Sequence, residues 1–147
     1  MKGEIVMIMP YLNFTGDCEA AFRLYQRAFD GQEPLLARYS DAPESAYPNM
    51  DIKQRNKIMH GHIMLTETGG VSGADAIWPV EKGSAINIHV YCPSLEQAQK
   101  AFDTLAEEGE TIGKLAPNPP PHDNGVSGMV RDKYGFIWVL SAQISQS

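Results

Sequence analysis

The stretch IVMIMPYLNFTGDCEAAFRLYQRAF, residues 5–29, decides the fold, because its pattern returns at 85–105 as AINIHVYCPSLEQAQKAFDTL. Each stretch begins with a β-rich run and continues, after a short polar break, with apolar residues at helical spacing. The two stretches match at an offset of about 76 residues when one half of the chain is laid on the other. The sequence therefore predicts an internal repeat that begins with a strand and a helix.

Three further strand-like runs follow each predicted helix, so the chain reads as βαβββ–βαβββ. We therefore predict an α+β fold in one domain covering 1–147, with module one at about 1–80 and module two at about 84–147. Each module alone would bury too little apolar surface, and the two are expected to share a sheet or core. The runs are EPLLARYS (33–40), KIMHGHIML (57–65), a weak one within GGVSGADAIW (69–78), ETIGKL (110–115), GVSGMVRD (125–132) and GFIWVLSA (135–142).

Composition narrows the class of partner. The chain has 147 residues, is 43% hydrophobic and carries a net charge of −6, which argues against a nucleic-acid partner because phosphate binding needs a basic face. No run of about 18 apolar residues is present, so no membrane partner is expected. The apolar start of the chain is interpreted as a strand and not as a signal peptide. Two cysteines without CxxC spacing fit a reducing compartment, and we expect a cytoplasmic location.

Four motifs resemble one superfamily. They are MPYLNFTGDCEAAFRLYQRAF (9–29), NKIMHGHIML (56–65), INIHV (86–90) and DKYGFIWVLS (132–141). They are similar to the vicinal-oxygen-chelate (glyoxalase/bleomycin resistance/dioxygenase) superfamily, and most closely to its PhnB-like branch. The resemblance implies a glyoxalase-like fold, in which two βαβββ modules form a cupped mixed half-barrel with helices outside. It also implies a homodimer.

The metalloenzymes of that superfamily bind one divalent ion through His or Glu side chains from the first and fourth strands of each module. On this chain, none of the corresponding positions is His, Glu or Asp, so we predict no metal cofactor. Some PhnB-like relatives carry demethylubiquinone methyltransferase names, but this chain has no glycine-rich nucleotide loop after a first strand. The ligand positions fall, in chain order, on Met9 or Pro10, Ser72 or Gly73, Ala85 and Val139.

Two histidines, His60 and His62, lie two residues apart in a predicted strand, which places both imidazoles on one face. They could line a polar wall, transfer protons or bind a ligand. A metal site would need further ligands, and Glu67 is the only acid close by in the sequence. The order of preference is a polar wall first and a metal site last.

Alternation along 85–92 separates a helix-facing set, Ile86, Ile88 and Val90, from a second set, Asn87, His89 and Tyr91. The second face is expected to form the floor of a concave site, with polar groups available to a ligand. The long polar segments 41–56 and 116–125 are candidate ligand-binding loops. The predicted ligand-binding residues are Tyr11, Asn13, His60, His62, Asn87, His89 and Trp138.

We predict a protein that binds an unidentified small molecule in the concave sheet, without the superfamily's usual metal. The alternative is a lyase, isomerase or oxygenase that uses an atypical histidine-based or metal site, with a histidine as general acid or base. The sequence assigns no catalytic residue to either function.

Overall fold

The computed structural model describes residues 6–121 and 124–143. The chain divides into two compact units between Val80 and Glu81, with Arg27–Phe29 grouped with the second unit. Each unit contains one βαβββ module, so the predicted α+β class and the two-module repeat are confirmed. No helix within the described ranges has the length and apolar character needed to cross a membrane.

Module one is built on a four-stranded mixed sheet. Its elements are β1 (Tyr11–Phe14), α1 (Cys18–Phe29), β2 (Leu35–Arg38), α2 (Ile52–Arg55), β3 (Ile58–Met64) and β4 (Gly70–Asp75). The strands lie in the order β1-β4-β3-β2. Strands β1 and β4 are parallel, and the other two pairs are antiparallel. A parallel pair needs a long crossover, which α1, β2 and β3 supply.

Module two repeats this arrangement without a counterpart of α2 among its described residues. Its elements are β5 (Ile88–Tyr91), α3 (Leu95–Leu105), β6 (Glu110–Pro117), β7 (Gly125–Arg131) and β8 (Ile137–Gln143). The strands lie in the order β5-β8-β7-β6, again with one parallel pair, β5 and β8. The first and fourth strands of each module are therefore neighbours.

Helix α3 covers one face of the module-two sheet. The Ser94 hydroxyl caps its start by accepting the Gln97 N–H at 3.1 Å. The helix packs on β7 and β8. Because successive strand residues point to opposite faces, the alternate set of side chains on these strands faces away from the helix. The helix residues buried in this contact are Ala98, Ala101, Phe102 and Leu105.

The strand predicted at 85–92 is shorter than the apolar alternation suggests. Val90 is buried as expected, but Ile86 lies before the strand and is 86% exposed, so its predicted helix-facing position was wrong. The reason is the length of the partner strand. Ile88 already pairs with Trp138, one residue from the start of β8 at Ile137, so no ladder extends to Ile86.

A buried carboxylate, Asp75, ties together three segments of module one. Its Oδ1 accepts the N–H groups of Gly16 and Cys18, each at 2.9 Å, and its Oδ2 accepts that of Ile58 at 2.9 Å. Asp17 occupies the N-cap position of α1 but makes no side-chain cap bond. The N–H of the first helical residue, Cys18, is thus satisfied by a side chain distant in sequence and not by the N-cap residue.

Candidate ligand-binding site

A chain of hydrogen bonds crosses three strands of module two on the face turned away from α3. His89 Nε2 lies 2.7 Å from Ser141 Oγ, and Ser141 Oγ lies 2.9 Å from Ser127 Oγ. Strand register explains the alignment, because Ser141 pairs with both Tyr91 on β5 and Ser127 on β7. We call the side of this sheet that carries His89, Tyr91, Ser127 and Ser141 the polar face of module two.

A cavity of about 750 Å³ lies against this polar face. Its volume is within the range of small-molecule sites. Tyr91 lies against His89 with ring centroids 4.2 Å apart and planes tilted by 34°. The other lining residues come from the strand ends and from the segment after β6, namely Cys92, Pro93, Asn118, Pro119, Pro120, Asn124, Gly125, Val126, Ala142 and Gln143.

The cavity combines polar groups with apolar surface. None of its described lining residues is Asp, Glu, Lys or Arg. Hydroxyl, imidazole and amide groups supply both donors and acceptors. Cys92 is half-buried there, and burial raises the pKa of its thiol, which keeps the thiol protonated near neutral pH. The site therefore offers hydrogen bonds and aromatic surface and no fixed charge among the described residues.

Module one carries a smaller polar group on the corresponding side of its sheet. Tyr11 Oη lies 3.1 Å from His60 Nδ1, and their rings stack with centroids 5.6 Å apart. Partial burial, followed by the nearby Cys18 thiol, raises the pKa of Tyr11. His62 is paired with Ser72 across β3 and β4. The two histidines share one strand face, as their spacing predicts, and we call Tyr11, His60, His62 and Ser72 the polar face of module one.

The remaining predicted ligand residues lie in other places. Asn13 shares the side of β1 that carries Tyr11 and is half-buried. Asn87 precedes β5, and its Nδ2 donates to Ser84 O at 3.5 Å. Trp138 is 0% exposed on the helix-facing side of β8, where its Nε1 donates to Asp132 Oδ2 at 3.0 Å. Of the predicted set, His89 lines the cavity, whereas Trp138 points to the opposite side of the sheet.

Sequence reasoning missed the two serines and the amides of the cavity. Alternation places Ser127 on the face opposite Val126 and Val130, but Ser141 follows a continuous apolar run, FIWVL, so no pattern in the sequence singles it out. What the sequence could not supply was the register that places them beside His89. The predicted loop 116–125 contributes Asn118, Pro119, Pro120 and Asn124, while its His122 and Asp123 lie outside the described residues.

The residues at the superfamily's metal positions do not fit a divalent ion. The Met9 thioether accepts from Ser72 Oγ at 3.8 Å, and Val139 is the ladder partner of His89. A thioether, a hydroxyl and an alkyl side chain do not form the oxygen and imidazole set that such ions require. In the ranges 6–121 and 124–143, no three His, Cys, Asp or Glu side chains are grouped so that they could hold a metal.

Comparison with known proteins places the chain in a family. A family model described as 3-demethylubiquinone-9 3-methyltransferase matches residues 6–141. That span covers nearly all of the described chain, including both modules.

Solved structures of similar chains share this fold. PA1353 from Pseudomonas aeruginosa is 25% identical, with a TM-score of 0.78 over 95% of this chain and 98% of that one. The PhnB protein from Bacillus cereus is 24% identical, with a TM-score of 0.72 over 92% and 98% of the two chains. A glyoxalase/bleomycin resistance protein from Albidiferax ferrireducens T118 is 14% identical, with a TM-score of 0.60 over 95% and 98%. These likenesses confirm the glyoxalase-like fold.

Proposed function

This chain belongs to the PhnB-like family of the vicinal-oxygen-chelate superfamily, and we propose that it binds a small organic molecule in module two without a metal. The observation that carries the proposal is the 750 Å³ cavity against the hydrogen-bonded chain of His89, Ser141 and Ser127. Concave sites with a few fixed polar groups are typical of small-molecule binding.

The methyltransferase named in the family description is not part of this proposal. A nucleotide-type methyl donor is commonly held by backbone N–H groups at a glycine-rich strand-to-helix turn. In module one, the N–H groups of Gly16 and Cys18 at that turn already donate to Asp75. They are therefore not available to a ligand.

The test is a thermal-shift screen of small organic molecules against purified protein in buffer containing EDTA. Binding to the native state raises Tm by mass action. Ser127→Leu places an isobutyl group in the cavity, and Ser72→Leu makes the same change on the polar face of module one. We expect at least one compound to raise Tm in the wild type and in Ser72→Leu, but not in Ser127→Leu.

Two results would overturn the proposal. One is a screen in which no compound raises the Tm of the wild type, or in which every compound that does so also raises the Tm of Ser127→Leu. The other is a compound that raises Tm only when the EDTA is replaced by a divalent ion, which would favour the metal-dependent alternative.

A catalytic role for His89 is the second candidate, because its Nε2 contacts a serine hydroxyl that lines the cavity. Such an imidazole could exchange a proton with a bound molecule through Ser141. Once a stabilising compound is known, mass spectrometry of that compound after incubation tests this role. Conversion by the wild type and not by His89→Gln would support catalysis, whereas unchanged compound would favour binding alone.

The proposal also includes a cytoplasmic homodimer. The family resemblance is its main support, and β2 is an edge strand on which Leu35 is 62% exposed. Light scattering coupled to size exclusion tests it, with a mass of twice 16.2 kDa expected.

A further inference from the structure

We propose that the module-two cavity takes an uncharged, planar aromatic molecule that carries both hydrogen-bond donors and acceptors. This inference rests on the proposed binding function and narrows it to a chemical class. Three independent features of the cavity lead to it, namely its aromatic surface, its polar groups and its lack of charge among the described residues.

The aromatic surface comes from Tyr91 and His89. Their rings lie 4.2 Å apart, and yet Tyr91 is 76% exposed, so much of its ring is available to a further group. Aromatic rings favour offset stacking with other planar rings. Pro119 and Pro120 line the same cavity and add rigid apolar surface. A planar ligand would therefore gain contact that a globular aliphatic one would not.

Beside the His89 imidazole, the cavity is lined by hydroxyl and amide groups, which carry no charge. Ser127 and Ser141 are hydroxyls already aligned with His89, at 2.9 and 2.7 Å along the chain. Asn118, Asn124 and Gln143 are amides, each with a carbonyl acceptor and an NH₂ donor. A ligand that only donates or only accepts would leave part of this set unmatched, at a cost in free energy.

The described lining offers neither an anion nor a cation an opposite charge. A charged group that leaves water needs an opposite charge or several strong hydrogen bonds, and the described lining supplies no Lys, Arg, Asp or Glu. The net charge of −6 also disfavours the approach of an anion. A carboxylate or phosphonate ligand is therefore expected to bind more weakly than its uncharged analogue.

Three matched probes test the class: 2-naphthamide, 2-naphthoate and decahydro-2-naphthamide. Each is titrated into ¹⁵N-labelled protein, and the backbone amide shifts of Tyr91, Gly125 and Ser127 report binding at the cavity. We expect 2-naphthamide to give saturable shifts there. The naphthoate, which is charged, and the saturated amide, which is not planar, should each bind at least tenfold more weakly.

Two tyrosine variants locate the stacking surface. Tyr91→Ala should weaken 2-naphthamide at least tenfold, and because Tyr91 is exposed the fold should survive. Tyr47→Ala removes a tyrosine that packs edge-on against Tyr39 in module one, and it should leave the affinity unchanged.

The outcomes separate this inference from the proposed function. Equal or tighter binding of the naphthoate or of the saturated amide at the same residues would overturn the ligand class while leaving a binding cavity. If none of the probes shifts the cavity amides, the inference is also overturned. The thermal-shift screen then decides the proposed function by itself.

Discussion

The two modules share one strand order, but their tyrosine–histidine pairs are built differently. In module one the pair joins β1 to β3 across β4, with Tyr11 and His60 centroids 5.6 Å apart. In module two both rings belong to β5, with His89 and Tyr91 centroids 4.2 Å apart, and His89 is free to reach Ser141 on β8. The repeat therefore fixes the backbone, whereas single side chains at alternating positions decide which module has a hydrogen-bonded chain beside a cavity.

The connections after the second strand of each module differ in the same way. In module one, residues 39–57 fold on themselves, because the Arg55 guanidinium donates to Tyr47 O at 2.8 Å and to Met50 O at 3.3 Å. In module two, four residues of the equivalent connection line the cavity, namely Asn118, Pro119, Pro120 and Asn124. One connection is thus occupied with its own hydrogen bonds, and the other contributes to a site.

The largest expected effect concerns the buried carboxylates, one in each module. Asp75→Ala leaves the N–H groups of Cys18 and Ile58 without an acceptor in a buried setting, and we expect a loss of about 4 kcal/mol in the free energy of unfolding. Asp132→Ala should cost less, about 2 kcal/mol, because two of its donors, Tyr134 N and Phe136 N, are only partly buried and can turn to water.

Urea unfolding of both variants measures this difference. Asp51→Ala is the control, since Asp51 caps the short exposed helix α2 and should cost about 1 kcal/mol or less. Equal losses for Asp75→Ala and Asp132→Ala would contradict the argument that the more buried donors make module one more dependent on its carboxylate.

The next largest expected effect is a loss of stability at high pH that the cysteine thiols cause. Burial, followed by Asp75 and Glu19, raises the pKa of the Cys18 thiol well above its ordinary value. The unfolded thiol ionises above about pH 8.5 while the folded one stays protonated, so stability falls as pH rises through that range. Between pH 8 and pH 10 this one group should cost about 2 kcal/mol.

Cys18→Ala should therefore flatten the loss of stability between these two pH values, whatever it costs at pH 8. Cys92→Ala in module two should flatten the loss less, because Cys92 is only half-buried and its thiol can ionise with less penalty. A Cys18→Ala protein that loses as much stability as the wild type would contradict the assignment.

Much of the fold was predictable from sequence, because strand and helix patterns repeat and the repeat sets the topology. The site was less predictable, since it depends on which strands are neighbours. Alternation alone places His89 on the face turned away from α3, but Ser141 joins it only because β8 lies beside β5. Trp138 was chosen for its aromatic ring, whereas its place in the alternation puts it on the side that α3 covers.

Removing the serine hydroxyls of the two polar faces should change the free energy of unfolding by smaller amounts. Ser141→Ala removes a hydroxyl that contacts both His89 and Ser127, and we expect a loss of about 1 kcal/mol. Ser72→Ala should cost about 0.3 kcal/mol or less, because its hydroxyl contacts a thioether, which is a weak acceptor. Urea titrations of the two variants check this, and a larger loss for Ser72→Ala would reverse the ranking of the two polar faces.

An effect as small as that of Ser72→Ala is expected of Tyr11→Phe, which removes only the hydroxyl that contacts His60. Both side chains are exposed, so water can replace the lost hydrogen bond, and the free energy of unfolding should change by less than about 0.5 kcal/mol. Paired with His60→Ala in a double-mutant cycle, it should give a coupling energy below that of Ser141→Ala with His89→Ala. A larger coupling energy for Tyr11 with His60 than for Ser141 with His89 would contradict this ranking. Module one would then become an equal candidate for the ligand site.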